Sequence, residues 1–277
     1  MTVAHSTPAE GMATLAEAAV RSGKTHLVGV GGDGTHHDIL NGIVRAGGLK
    51  AVTYAPLPLG TGNDWVRTLR TPRGPTAWLE MLLRRNLMHH RIGRLACTPL
   101  VAAATASAPG APAVSCFLNV AGMAYDAEVV RRSEKARWKH RLLYPLLTLL
   151  YLKDFEPPTV TISYDGNTVT CPVHTVNFGI GRYNGGGMRL VPQADPTAET
   201  LALTFARRLP VWKILLSSWR FYTPTIGELA EVTTTHAREI SITPVAGTTL
   251  LEADGELLGG APVTATLLGE SLRVVVP

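Results

Sequence analysis

The sequence is short of charge, of cysteine and of long apolar runs. Only 17% of its 277 residues are charged while 45% are hydrophobic. An average soluble domain carries about 25% charge, so this chain has apolar surface to bury and is no disordered polymer. Cys97, Cys116 and Cys171 are odd in number and widely spaced. They build no CxxC pair, zinc pattern or disulfide framework, which fits a reducing compartment. The longest nearly apolar stretch, Leu142 to Leu152 (LLYPLLTLLYL), is about half of the ~20 residues a spanning helix needs. MTVAHSTPAEGMATL at the start lacks the basic stretch and apolar run of a secretory signal. The expectation is a cytoplasmic protein that at most touches a membrane from outside. No HExxH or GxSxG occurs, and the adjacent pairs His36-His37 and His89-His90 cannot share one helical face, so no histidine metal site and no serine hydrolase are assigned. The formal net charge of +5 is modest: it suits phosphates or an anionic membrane surface and does not require nucleic acid.

The length allows two medium domains. The first part alternates helix and strand. Met12 to Arg21 is rich in helix formers and is followed by Gly23. Thr25 to Val30 and Ala51 to Ala55 are short apolar runs of the kind that form buried parallel strands. Helices are expected over Asp38 to Arg45 and Thr76 to Arg85. Near Ile92 the texture changes, and Ala102 to Ala113 reads as a small-residue loop. Strands are then expected at Val114 to Val120, Thr159 to Tyr164, Thr168 to Val173, Thr175 to Ile180 and Leu201 to Ala206, with an Asp-Gly hairpin turn in VTISYDGNTVTCPV. Helices interrupt at Asp126 to Leu152 and Pro210 to Tyr222. The expected fold is an α/β domain over residues 1–91 followed by an antiparallel β domain over 92–277, its last residues returning to the first.

A glycine-rich turn follows each early strand: Gly31-Gly32-Asp33-Gly34-Thr35, and Leu59-Gly60-Thr61-Gly62-Asn63-Asp64. Glycine lets backbone N–H groups approach a ligand, and a strand end followed by a helix start is an anion site. Two unliganded tight turns are the plain alternative. GVGGDG matches GxGxxG, yet no acidic residue lies between Asp38 and Asp64 to hold a ribose. Gly23-Lys24-Thr25 imitates the end of a P-loop, but it precedes its strand and Ala18 stands at the earlier glycine. A carboxylate inside a phosphate loop repels its ligand unless a cation intervenes, and phosphoryl transfer supplies Mg²⁺. Asn63 alone could equally be an ordinary Asx-turn residue. Glu252-Ala253-Asp254-Gly255-Glu256 reads as an exposed turn unless it folds back onto the glycine loops, where one carboxylate could accept a hydroxyl proton.

GGDGT with Asn41-Gly42, PLGTGNDWVR (Pro58 to Arg67), FLNVAGMAYDAEV (Phe117 to Val129), NGGGMRLVPQADP (Asn184 to Pro196) and the late DGE together resemble the diacylglycerol kinase catalytic-domain family. That family includes bacterial lipid kinases and sphingosine and ceramide kinases, with NAD kinases as distant relatives. The resemblance runs through nearly the whole chain in the family's order. It implies an α/β nucleotide domain, a C-terminal β-sandwich, and a lipid site in the cleft between them. It implies ATP and Mg²⁺ as cofactors and a lipid hydroxyl as acceptor. Gly31, Gly32, Asp33, Gly34 and Thr35, with His36, His37 and Asp38, would cradle the phosphates. Gly60 and Thr61 would contact the nucleotide, as would Thr7, and Asn63 would complete the site. Asp33 and Asp64 would surround Mg²⁺. Glu256 would take the proton, with Asp254 a rival and Asp33 a further catalytic carboxylate.

The chain departs from the family pattern in three places. No Asn-Pro-x-Ser-Gly-like phosphate loop precedes Thr7, so the sequence begins where the family's second strand is expected. Ala198-Glu199 stands where an Asp-Gly pair binds a structural Mg²⁺ in bacterial members. Ala124 replaces a glycine before the aromatic-Asp pair, with little consequence expected. Arg131 to Arg141 (RRSEKARWKHR), leading into LLYPLLTLLYL, is either a solvated helix face or a membrane-adsorbing segment over 131–152. The reading that follows is an ATP-dependent lipid kinase. An NAD-kinase-like enzyme with a soluble acceptor and an idle nucleotide- or lipid-binding member are the alternatives. No oligomeric state can be read from the sequence.

Overall fold

The computed structural model describes residues 2–7, 9–99, 112–135 and 151–277. Most of the small-residue loop (100–111) and of the basic-apolar segment (136–150) lies outside the described residues. The first part contains α1 (Met12–Arg21), β1 (His26–Gly31), α2 (Asp33–Arg45), β2 (Thr53–Pro58), α3 (Asp64–Thr68), α4 (Pro75–Arg84) and β3 (Leu87–Pro99). β1 and β2 pair in parallel from His26↔Thr53 to Gly31↔Pro58, so both strands end at one edge. α1 packs closely on α2 because Gly42 has no side chain: a Cβ there would collide with the Ala13 carbonyl. Ile39, Leu40 and Ile43 of α2 bury against Val52, Tyr54, Trp65 and Leu272. β1 is an edge strand, and its Val28 and Val30 are exposed.

The second part holds β4 (Ala113–Phe117), β5 (Val120–Ala124), α5 (Tyr125–Lys135), β6 (Thr159–Tyr164), β7 (Asn167–Gly179), β8 (Leu201–Arg207), α6 (Val211–Ser217), β9 (Val232–Ala237), β10 (Glu239–Pro244), β11 (Leu250–Ala253) and β12 (Glu256–Val275). The pairings β12-β10-β6-β7-β5-β11 return to β12 and close a ring, with β3 and β4 beside β12 and with β8 and β9 beside β7. Inside lie Leu95, Phe117, Met123, Ile162, Phe178, Phe205 and Val263. The Phe117 and Phe178 rings meet edge to face at 6.3 Å. The architecture is α/β followed by antiparallel β. β12 ties the two parts together: it pairs antiparallel with β10 and β3, then parallel with β2 at Arg273↔Thr53 and Val274↔Tyr54.

Several boundaries differ from the expected ones for local reasons. α2 begins at Asp33, five residues before the expected Asp38, so most of the first glycine motif is helix start rather than loop. Gly32, extended at φ -105°, is the cap. The expected strand Val114 to Val120 is two, β4 and β5, divided at Leu118-Asn119. The expected strands Thr168 to Val173 and Thr175 to Ile180 are one, β7, with a register shift between Val173 and Thr175. Ala124 has φ 65°, a left-handed conformation that explains a glycine at this position. Its strain, about 1–2 kcal/mol, is partly offset by burial of the methyl group in the core.

Candidate functional site

The two glycine motifs meet at the carboxyl edge of β1 and β2. Leu59 and Gly60 both donate N–H to the Gly31 carbonyl, at 2.8 and 3.1 Å. The backbones of Gly32 and Gly60 lie so close that neither could carry a Cβ without collision or compression. Asn63 occupies the left-handed region at φ 54°, which asparagine tolerates better than most residues. Its side chain clamps Gly60 from both sides, accepting from the Gly60 N–H at 3.1 Å and donating to the Gly60 carbonyl at 2.6 Å. Asp33 joins the motifs: its carboxylate accepts the N–H groups of Asp64 and Trp65 at 3.2 and 3.1 Å, which caps α3. Burial first, and the charge of Asp64 second, push the Asp33 carboxyl up to about 6. The Thr61 side chain is exposed at the tip of the second motif.

The α2 helix start has Gly32 as its cap residue and no side-chain cap from it, and its first N–H groups have no intrahelical partner, the arrangement an anion site uses. The side chains of His36 and His37, expected among the phosphate contacts, turn inward instead. His36 Nδ1 hydrogen-bonds the Tyr54 hydroxyl at 2.6 Å, and burial pulls its pKa down to about 4. His37 Nδ1 meets Asp254 Oδ2 at 3.0 Å. Burial opposes charge on His37, but the Asp254 hydrogen bond and charge, with Asp38 and Glu256 adding, raise its pKa overall. Protonated His37 therefore adds stability below the ordinary histidine range, and this is lost as pH rises through the raised value. Asp38 is exposed. Thr7 bonds locally, its hydroxyl accepting the Glu10 N–H at 3.1 Å just ahead of α1.

The late DGE is not an exposed turn. Asp254 (φ 53°) and Gly255 (φ 87°) are the paired left-handed residues of a tight hairpin between β11 and β12, and this hairpin folds onto the first glycine motif. Asp254 is buried and accepts the Leu118 and Asn119 N–H groups, both at 2.9 Å, as well as bonding His37. Glu256 is exposed, and its carboxylate lies against Gly34, where any Cβ would strike it. The two carboxylates thus differ in kind: one is locked inside and one is exposed beside the first glycine motif. Asp254→Ala, which strands two buried amides and a buried histidine, is expected to cost about 3 kcal/mol or more, read from urea midpoints.

The second part contributes groups from motifs to which the sequence assigned no site role. Gly185, Gly186 and Gly187 all have positive φ, a run open only to glycine at low cost. It brings the Gly186 N–H to Asp64 Oδ2 at 2.7 Å. Burial raises the Asp64 pKa, against the backbone donors and nearby Arg67. Behind this loop a cavity of ≈ 30 Å³ is lined by Asp126, Asn184 and Glu252 among others. Burial holds Asp126 up at about 6 despite hydrogen bonds from Thr175 and Asn177. It pushes Glu252 to about 8 even though Asn184 and the Gly255 N–H donate to it. Glu252, read in the sequence as part of an exposed turn, is fully buried, and the three consecutive glycines and the aromatic-Asp pair of FLNVAGMAYDAEV carried the readable signal for this region. In α5, Arg131 and Arg132 are both paired with Glu128, so two of the expected membrane-facing cations are engaged within their own helix.

Residues 1–95 match the diacylglycerol kinase catalytic domain, and residues 119–276 match the YegS C-terminal NAD kinase beta sandwich-like domain. The chain belongs to the diacylglycerol kinase family. It is 26% identical over 266 residues to the diacylglycerol kinase of Mycobacterium tuberculosis, covering 95% of this chain and 80% of the relative. Its fold matches a crystal structure of a Bacillus anthracis diacylglycerol kinase with TM-score 0.70 at 18% identity, covering 99% of this chain and 84% of the other. It also matches yeast NADH kinase complexed with NADH, with TM-score 0.54 at 12% identity, covering 94% and 64%. As a member of the family the chain is a kinase of the lipid-kinase group. Among the described residues no helix is long and apolar enough to cross a membrane, and no cluster of three or more His, Cys, Asp or Glu side chains forms a metal centre.

Proposed function

We propose that the chain transfers the γ-phosphoryl group of ATP to the hydroxyl of a lipid. The observation that carries this reading is the approach of Glu256 to Gly34: a solvent-facing carboxylate stands beside the first turn of α2. Amides of Gly31 to Thr35 and of Gly60 and Thr61 would hold the phosphates, with Asn63 keeping the second motif in shape and Thr7 near the nucleotide. Asp64 could take Mg²⁺ at this corner: its buried Oδ1 lacks a well-formed hydrogen bond and faces Arg67 Nε in an ion pair at 3.6 Å, a cation that Mg²⁺ would displace or share the carboxylate with. Asp64 would be the ligand, since Asp33 already accepts two amides. A bound Mg²⁺ would neutralise charge on the phosphate oxygens.

In the step itself the acceptor oxygen attacks the γ-phosphorus and a new P–O bond forms. The bond to the bridging oxygen breaks, ADP leaves, and the hydroxyl proton passes to Glu256. Asp254, enclosed by His37 and two amides, positions the hairpin that carries Glu256. The test is incubation with γ-labelled ATP and Mg²⁺, offering diacylglycerol, a sphingoid base, a whole lipid extract and NAD in separate reactions. Label is expected in an organic-phase product. Label in NAD alone, or in nothing, overturns the reading.

A further inference from the structure

Helix α6 and the 3-10 turn that extends it, Ser218–Tyr222, turn an apolar stripe toward solvent. Trp212, Leu215, Leu216 and Trp219 stand at i, i+3, i+4 and i+7, the spacing of one helical face. They are 63%, 46%, 70% and 54% exposed, and Tyr222 is 56% exposed. No residue of α6 is buried. The segment is nevertheless anchored from its other side. Ile214 and Phe221 pack on a small cluster that includes Leu190, Leu209 and Ile226. Ion pairs from Lys213 to Glu231 and from Arg220 to Glu228 brace it. A firmly held helix that shows tryptophan and leucine to water marks an interaction surface rather than an unfinished core.

Charge and composition select the occupant. Arg207 ends β8 and Arg208 follows it just before α6; both are exposed, and among the described residues neither pairs with a carboxylate. From 207 to 231 the cations Arg207, Arg208, Lys213 and Arg220 outnumber the carboxylates Glu228 and Glu231. A second copy docking symmetrically would bring this basic surface against itself. Tryptophan and tyrosine, with an apolar body and a polar tip, settle at the headgroup level of a bilayer. Cations beside an apolar helical face are drawn to anionic lipid. We propose that the Trp212–Tyr222 surface docks the kinase on an anionic lipid bilayer. The choice of a bilayer rests on the lipid-kinase reading above; the binding measurement does not.

The test uses the full chain with phosphatidylcholine vesicles and with mixed phosphatidylcholine–phosphatidylglycerol vesicles, followed by sedimentation and by quenching of tryptophan emission with brominated acyl chains. Binding to the mixed vesicles is expected to be at least about tenfold tighter than to phosphatidylcholine alone. W212S/L216S/W219S, which changes exposed residues only, should keep the thermal transition, lose at least about tenfold in vesicle binding and lose most of the quenching. R207Q/R208Q should keep the quenching on mixed vesicles while losing most of the preference for anionic lipid. Unchanged vesicle binding in the triple variant overturns the proposal. So does wild-type chain that ignores vesicles and self-associates through this face, shown by a dimer-to-monomer change in the triple variant. Vesicle binding without phosphoryl transfer to any lipid supports the docking surface and defeats the kinase reading instead.

Discussion

Asp33→Ala is expected to abolish ATP-dependent lipid phosphorylation and to lower stability by about 1–2 kcal/mol, the usual cost of losing a helix cap. The fold should survive, because the parallel pair of β1 and β2 and the helices packed on it do not depend on this carboxylate. Activity should not. Asp33 holds the amides of Asp64 and Trp65, so its loss frees the start of α3 and with it the placement of Asp64. Asp33→Asn separates the two effects, since the amide keeps the size and one acceptor oxygen. The pH dependence supplies a signed control. With its carboxyl at about 6 against an ordinary 3.8, folded Asp33 holds a proton that the unfolded chain has already lost. Its contribution to stability therefore falls as pH rises through that window. Denaturation midpoints of Asp33→Asn should lack this slope. Turnover by wild type should decline as pH drops below about 6, where the carboxylate that caps α3 becomes protonated. Asp33→Ala turnover at the wild-type rate would sink the assigned role.

Glu256→Gln should reduce kcat by about 10²–10⁴, the span for loss of a general base, with nucleotide binding and thermal stability near wild type. The side chain is exposed and the substitution preserves its shape beside Gly34. Asp254→Asn is the informative partner. If Asp254 only positions the hairpin, its variant should lose stability first, and its residual turnover should recover when ligand or low temperature restores the fold. Glu256→Gln should show no such recovery. Comparison of kcat with denaturation midpoints in both variants distinguishes the carboxylates; full turnover in Glu256→Gln would remove it from the proton transfer.

Much of the scaffold was legible in local sequence. α1 falls at Met12–Arg21, as its helix formers predict, and β6 at Thr159–Tyr164, as its alternation predicts, because each is a short element whose own pattern agrees with its environment. Asp165-Gly166 and Asp254-Gly255 both adopt the left-handed pair that their residue types favour. Less was legible where elements are long or shared. β12 runs from the DGE hairpin to the parallel sheet, and a strand that changes neighbours along its length shows no single alternation of faces. The start of α2 was hidden because glycine-rich residues look like loop until a neighbouring motif packs against them.

By itself, the sequence determined the order of α/β and β parts, the two glycine motifs, and which carboxylates were candidates, since these depend on residue type and on spacing within a few turns of chain. Only the tertiary structure decided what each candidate does. Asp33 became the cap of α3, His36 and His37 became interior residues, Asp254 became a buried anchor, and Glu256 was left exposed beside Gly34. Those assignments rest on contacts such as Asp254 with Leu118 and with His37, across 136 and 217 residues of chain. Burial and charge at such contacts are set by the partner, and local sequence cannot name a partner that distant.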